Sequence, residues 1–233
     1  MTLVPTHRAP KVRLVAAAAT LSSISLVAPL AHADEVHLDP YIWAQNGRIE
    51  IGAWDDDANT LHAPIYRVFG AELGEDPEFP FSIDEPGIRS DLNGLTFSLN
   101  LDAGLQAWNG STFGASTSSM SVAYGGSAIG TAGGGSLSFL VGDDFHVHPD
   151  FTLSGFGGAD PAPGIYLISF TVSSVGYGTS DRFWIAFNLG MSEADHEAAK
   201  EWVEANYVPA PGALALIGVM GAGTRSRRRK VGR

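Results

Sequence analysis

The residues of this 233-residue chain best suited to do chemistry stand in one short stretch, His146-Val147-His148. On a strand, alternate side chains project to the same face, so the two imidazoles stand about 6.5–7 Å apart at their Cα atoms. Two ring nitrogens at that spacing reach one Zn²⁺ at about 2.0–2.1 Å when further ligands arrive from elsewhere in the fold. His37, Asp39 and His62 are the candidates for those further positions, and neutral imidazole with carboxylate suits a borderline metal such as zinc. The same pair also reads as two exposed or hydrogen-bonded histidines on an edge strand, and the spacing admits both readings.

A second acidic stretch, Asp55-Asp56-Asp57-Ala58-Asn59, opens like a calcium loop. Thr60 then stands where the EF-hand needs Gly and Tyr66 where it needs Glu, which excludes that motif. Asp and Asn in this density instead predict a polar hairpin tip. No Gly-x-Ser-x-Gly, His-Glu-x-x-His or phosphate-binding glycine loop is present, so the expectation is a non-enzymatic protein. Trp43, Trp54, Trp108 and Trp184 have the surface to stack on sugars, although aromatics in a sandwich more often fill its core. A carbohydrate-binding or glycoside-acting extracellular module is therefore the alternative function.

The elements that must position these residues read as a mostly-β domain. From Val36 onward, short apolar runs alternate with Gly, Asn, Asp and Pro, the pattern of strands and turns. Strands are predicted at 41–44, 48–54, 65–69, 95–101, 104–108, 120–124, 136–141, 165–173 and 182–188. Asn46-Gly47 predicts a two-residue hairpin, because both positions tolerate φ > 0. Along 165–172, Tyr166, Ile168, Phe170 and Val172 share the face that should enter the core. One helix, Glu193 to about Asn206, follows Ser192, with acidic residues in its first turn. Ala194, Ala198 and Trp202, with Ala199 and Val203 beside them, form its apolar stripe. The predicted fold is an antiparallel β-sandwich, jelly-roll or Ig-like, with one C-terminal helix.

Charge separates the ends from the body. Nine of the 14 Lys and Arg residues lie in the first 13 or last nine positions, whereas all 25 Asp and Glu lie between Asp34 and Glu204. With five basic residues remaining, residues 34–207 carry a formal charge of −20. Such a body repels phosphate backbones, which excludes nucleic acid as a partner. The lack of cysteine excludes disulfides and thiolate metal sites.

Residues 1–33 read as a secretory signal peptide: Arg8, Lys11 and Arg13, an apolar run from Leu14 to about Leu30, then Ala31-His32-Ala33 as the cleavage site. Residues 34–207 form the predicted sandwich domain, and 208–233 a terminal segment. That segment runs Val208-Pro209-Ala210-Pro211, an apolar stretch Gly212–Gly223, and a cluster including Arg227, Arg228 and Arg229. About twelve apolar residues are too few to span a bilayer as a helix, which needs about twenty.

The order of these three features resembles the PEP-CTERM sorting signal, in the Val-Pro-Ala-Pro form common in planctomycete-like bacteria, with Pro209-Ala210-Pro211 standing for Pro-Glu-Pro. The resemblance implies export machinery and an exosortase-type membrane enzyme as partners. It further implies a cell-surface or extracellular-matrix destination and membrane contact only through the terminal segments, held transiently by the tail. Matrix polysaccharide is a further expected partner. The body in turn resembles bacterial surface-anchored proteins that carry His-x-His ahead of Pro-Gly-x-Tyr, here His146-Val147-His148 and Pro163-Gly164-Ile165-Tyr166. Several begin with His-x-Asp before a glycine hairpin, as His37-Leu38-Asp39 does before Asn46-Gly47, and Glu85-Pro86-Gly87 fits the same pattern. Some of that group are linked to zinc supply, which makes zinc the cofactor the resemblance implies.

Overall fold

A computed structural model describes residues 37–209; the expected signal peptide and the sorting segment from Ala210 onward lie outside the described residues. In chain order the strands are β1 (Leu38–Gln45), β2 (Arg48–Asp55), β3 (Thr60–Ala63), β4 (Val68–Leu73), β5 (Ser82–Ile83), β6 (Ile88–Ser90), β7 (Thr96–Leu101) and β8 (Gln106–Trp108). There follow β9 (Phe113–Ala115), β10 (Ser119–Tyr124), β11 (Ser127–Gly130), β12 (Gly135–Leu140), β13 (His146–Val147), β14 (Asp150–Ser154), β15 (Gly164–Ser174) and β16 (Phe183–Leu189), then helix α1 (Glu193–Asn206).

They assemble into a β-sandwich. One sheet runs β13-β6-β1-β2-β3, a second β11-β10-β14-β5, and the largest runs β12-β7-β15-β16-β4 with β8 and β9 alongside. The inward residues of the alternating strands meet in one core: Ile42, Ile49 and Ile51 from the first sheet, Met120, Val122 and Phe151 from the second, and Phe97, Phe170, Phe183 and Phe187 from the third. Tyr166, Ile168, Phe170 and Val172 face this core as the alternation requires. Burying a large apolar side chain stabilises by about 1.5–3 kcal/mol, so these strands hold the sheets together. The opposite face of β15 and β16, with Ile165, Leu167 and Trp184, is covered by Ala199 and Val203 of α1.

Local signals act as expected at two points. Asn46 and Gly47 take φ of 54° and 77° and join β1 to β2 in register from Gln45↔Arg48 to Leu38↔Asp55. Ser192 caps α1 by accepting from the Asp195 N–H, offsetting one of the helix's unpaired first-turn donors.

Two expectations need correction. The strand expected from Ile65 begins at Val68, with Ile65 exposed. The apolar stripe of α1 runs through His196, Ala199 and Val203, while Ala194 and Ala198 are exposed. Trp202, half-buried, does pack against this cluster. The expected β-sandwich with one C-terminal helix is present, mostly antiparallel, with β1 parallel to β6 and β4 parallel to β16.

His196 anchors the helix. Its fully buried ring lies with Nε2 2.9 Å from the Ala186 carbonyl and Nδ1 2.7 Å from Glu72 Oε1. Burial acts to lower its pKa, but the Glu72 carboxylate and the Ala186 carbonyl more than offset this, and the net shift is upward.

Candidate metal centre

The register of the five-stranded sheet builds the site. Asp39 pairs with Trp54, Tyr41 with Arg89, and Arg89 with His146. Directly paired residues project to the same face, and Ile42 and Ile88, on the opposite face, fill the core. Asp39, Arg89 and His146 therefore share the outer face, although Asp39 itself is only 1 % exposed.

Asp39 Oδ2 lies 2.7 Å from His146 Nε2. The other ring nitrogen of His146, Nδ1, is 3.8 Å from Asp56 Oδ1. Ligand atoms of Asp39, Asp56 and His146 all fall within 4.8 Å of one another. The rings of His146 and His148 have centroids 4.6 Å apart, so the expected same-side pair is formed. His148 Nδ1 faces the Asp84 carbonyl at 3.1 Å and Glu85 Oε1 at 3.4 Å. With Nδ1–H donating to that carbonyl, the Nε2 lone pair is left available, the arrangement by which backbone carbonyls orient metal-binding histidines.

Gly87 closes the set from the loop before β6. Its N–H donates to Glu85 Oε2 at 3.0 Å. A Cβ at this position would stand 2.8 Å from His146 Nε2, 2.9 Å from Asp39 Oδ2 and 3.0 Å from His148 Cε1. The missing side chain thus keeps open the space bordered by Asp39, His146 and the edge of the His148 ring.

The electrostatics favour a cation. Burial drives the Asp39 pKa upward, with Asp56 adding repulsion and contact with His146 and the Gly87 N–H opposing it. Burial also raises the Glu85 pKa, reinforced by Asp39 and opposed by His148. Carboxylates withdrawn from water in this way are stabilised by pairing or by metal coordination. The 2.7 Å Asp39–His146 distance is that of a hydrogen bond, whereas two ligands of a tetrahedral zinc stand about 3.3 Å apart. Ligation would therefore replace the shared proton and spread the pair by about 0.6 Å.

The expected ligands do not all converge. Asp39 and His146 come together, with Asp56 as the third residue of the group, and the His148 ring lies beside that of His146. His37 is exposed, outside the cluster, and contributes through its backbone carbonyl, which accepts from Asp56 N–H at 3.2 Å. His62 is exposed on β3, its ring 6.1 Å from that of Tyr66. The polar tip 56–59 does turn β2 into β3, with Asp55 Oδ1 accepting from Ala58 N–H, and it delivers Asp56 to the site. Asp56 was legible only as a turn residue. Glu85 and Gly87 carried no local signal beyond the Glu-Pro-Gly pattern.

Beside the cluster lies a groove of about 390 Å³ lined by Tyr41, Trp54, Asn59, Arg89, Asp91 and Asp144, among others. The Arg89 guanidinium covers the Trp54 ring at 4.7 Å and donates to Asn59 Oδ1 at 3.1 Å. Desolvation and the hydrogen bond to Asp91 push the Tyr41 phenol up to about 12. Of the other tryptophans, Trp43 donates to the Pro64 carbonyl, and Trp108 and Trp184 pack in the cluster beneath α1. Among the described residues, no helix is long and apolar enough to cross a membrane. No protein-family model matches the chain, and no curated protein does.

Proposed function

We propose that the protein is an exported, non-enzymatic β-sandwich of the cell surface or matrix that holds a divalent ion of the zinc class. Asp39, His146 and His148 serve as ligands, with Glu85 or Asp56 as the fourth. The observation that carries this reading is the buried Asp39 carboxylate set against His146, facing a gap that a Cβ at Gly87 would fill. Export and sorting rest on the two terminal segments of the sequence, with an exosortase-type enzyme as partner for Pro209, Ala210, Pro211 and Arg227–Arg229.

The test is a calorimetric titration of the metal-stripped full chain with Zn²⁺, repeated on a His146→Ala/His148→Ala variant. Loss of one bound ion in the variant supports the reading. Unchanged binding refutes it and leaves the Asp39–His146 contact as a structural hydrogen bond.

A glycan ligand is the second reading, favoured by the groove beside the cluster. Alternating carboxylate, amide and guanidinium groups match the hydroxyls of a sugar, and the volume is of pocket size. Because Arg89 caps Trp54, a sugar would meet polar edges rather than a bare indole. Saturable binding on a glycan array, lost in Asp91→Ala, supports it, and a silent array removes it.

A further inference from the structure

A second cluster lies away from this face, where the start of α1 meets β4 and β16. We propose that Glu72, Glu193 and His196 form a separate divalent-cation site that fastens the C-terminal helix to the large sheet. The ligand atoms of these three residues lie within 4.8 Å of one another.

The tautomer of His196 carries the argument. When the ring is neutral and Nε2–H donates to the Ala186 carbonyl at 2.9 Å, the Nδ1 lone pair faces the cluster. There it meets Glu72 Oε1 at 2.7 Å. The nitrogen is buried and, despite that ion-pair contact, meets no partner with regular hydrogen-bond geometry. A nitrogen lone pair and a carboxylate oxygen at that distance repel unless a proton or a metal ion is shared between them, and a metal would spread the pair by about 0.6 Å, as at the first site. A proton serves two atoms along one line. A metal serves three ligands around a point, and Glu193, the first residue of α1, supplies the third.

The surroundings are those of a metal ligand set. A backbone carbonyl orients the imidazole, and Asn188 Nδ2 donates to Glu72 Oε1 at 3.2 Å. Asn188 is itself held by Met191, whose N–H donates to Asn188 Oδ1 and whose carbonyl accepts from Nδ2. Such outer partners fix ligand direction. One imidazole with two carboxylates suits a borderline ion such as Zn²⁺ better than the oxygen-preferring Ca²⁺. Lys200 is close enough to His196 to oppose its protonation, and its Nζ also lies 2.6 Å from Glu197 Oε1. An ion bound here would tie β4 to α1, the helix that leads directly into residues 208–233. In its absence the same position takes a proton.

The experiment uses the metal-stripped full chain and Zn²⁺ alone, with stoichiometry read by calorimetry and elemental analysis and helix protection read by amide hydrogen exchange. Glu193 is exposed, so Glu193→Gln should fold, whereas His196→Ala would open the buried cluster. About two ions per chain are expected for the wild type, about one each for Glu193→Gln and for His146→Ala/His148→Ala, and none for the combination. Exchange at residues 193–206 should slow with Zn²⁺ in the His146→Ala/His148→Ala chain, and that slowing should be lost when Glu193→Gln is added. If that double-histidine variant binds no ion, or if Glu193→Gln changes neither stoichiometry nor exchange, the proposal fails and His196 is a proton-bound anchor. The wild-type ion lost with His146 and His148 would be unaffected by that outcome.

Discussion

Asp39 concentrates the conflict that the first site must resolve. Its folded pKa is raised by burial, so the carboxyl holds its proton to a higher pH than in the unfolded chain. The sign follows directly: that contribution to stability is fully present below the ordinary carboxylate value of about 4 and is lost as pH rises through the raised folded value. Glu85 behaves the same way. A bound cation reverses the preference, because it needs the ionised carboxylates and neutral imidazoles. The Zn²⁺-induced rise in Tm should therefore be absent near pH 4 and grow toward pH 7, with thermal melts at each pH as the measurement. A rise that is constant over this range would contradict ligation by these groups. Gly87 gives a sharper check. A Gly87→Ala Cβ would press within 3.0 Å of atoms of all three candidate ligands, so Zn²⁺ affinity should fall at least about tenfold.

At the scale of elements, what was legible in the sequence is what short periodicity encodes. The Asn46-Gly47 turn, the core face of β15 and the bounds of α1 each rest on a local rule. The parallel partnerships of β1 with β6 and β4 with β16 do not, because the partners are distant in sequence and leave no mark on either strand. Short strands such as β5 and β6, two and three residues long, show too little alternation to read. The site followed the same division. His146 and His148 were visible by spacing, but Asp56 and Glu85 enter from loops whose placement depends on those long-range pairings. His196 was hidden differently: a polar residue on the buried stripe of a helix is invisible to a hydrophobic pattern. The cap of α1 gives a direct check on the helix. Ser192→Ala, which removes the acceptor for the Asp195 N–H, should cost about 1 kcal/mol. That is a fall of about 2–4 °C in Tm for a domain of this size, measured by calorimetry with circular dichroism.

For the whole molecule, the sandwich separates two tasks. Its interior is apolar and continuous, while the outer face of the first sheet gathers Asp39, His146, Arg89 and Trp54 into one polar surface. The formal charge of −20 on residues 34–207 draws cations toward that surface through its long-range field. In the proposed account the terminal segments supply the address and the sheet face supplies the ligand site. The most direct test of the central claim is the zinc stoichiometry of the metal-stripped full chain compared with its His146→Ala/His148→Ala variant under identical conditions. The account expects the variant to lose about one ion per chain while keeping its β-sheet circular dichroism. Equal stoichiometry and affinity in the two proteins would contradict it.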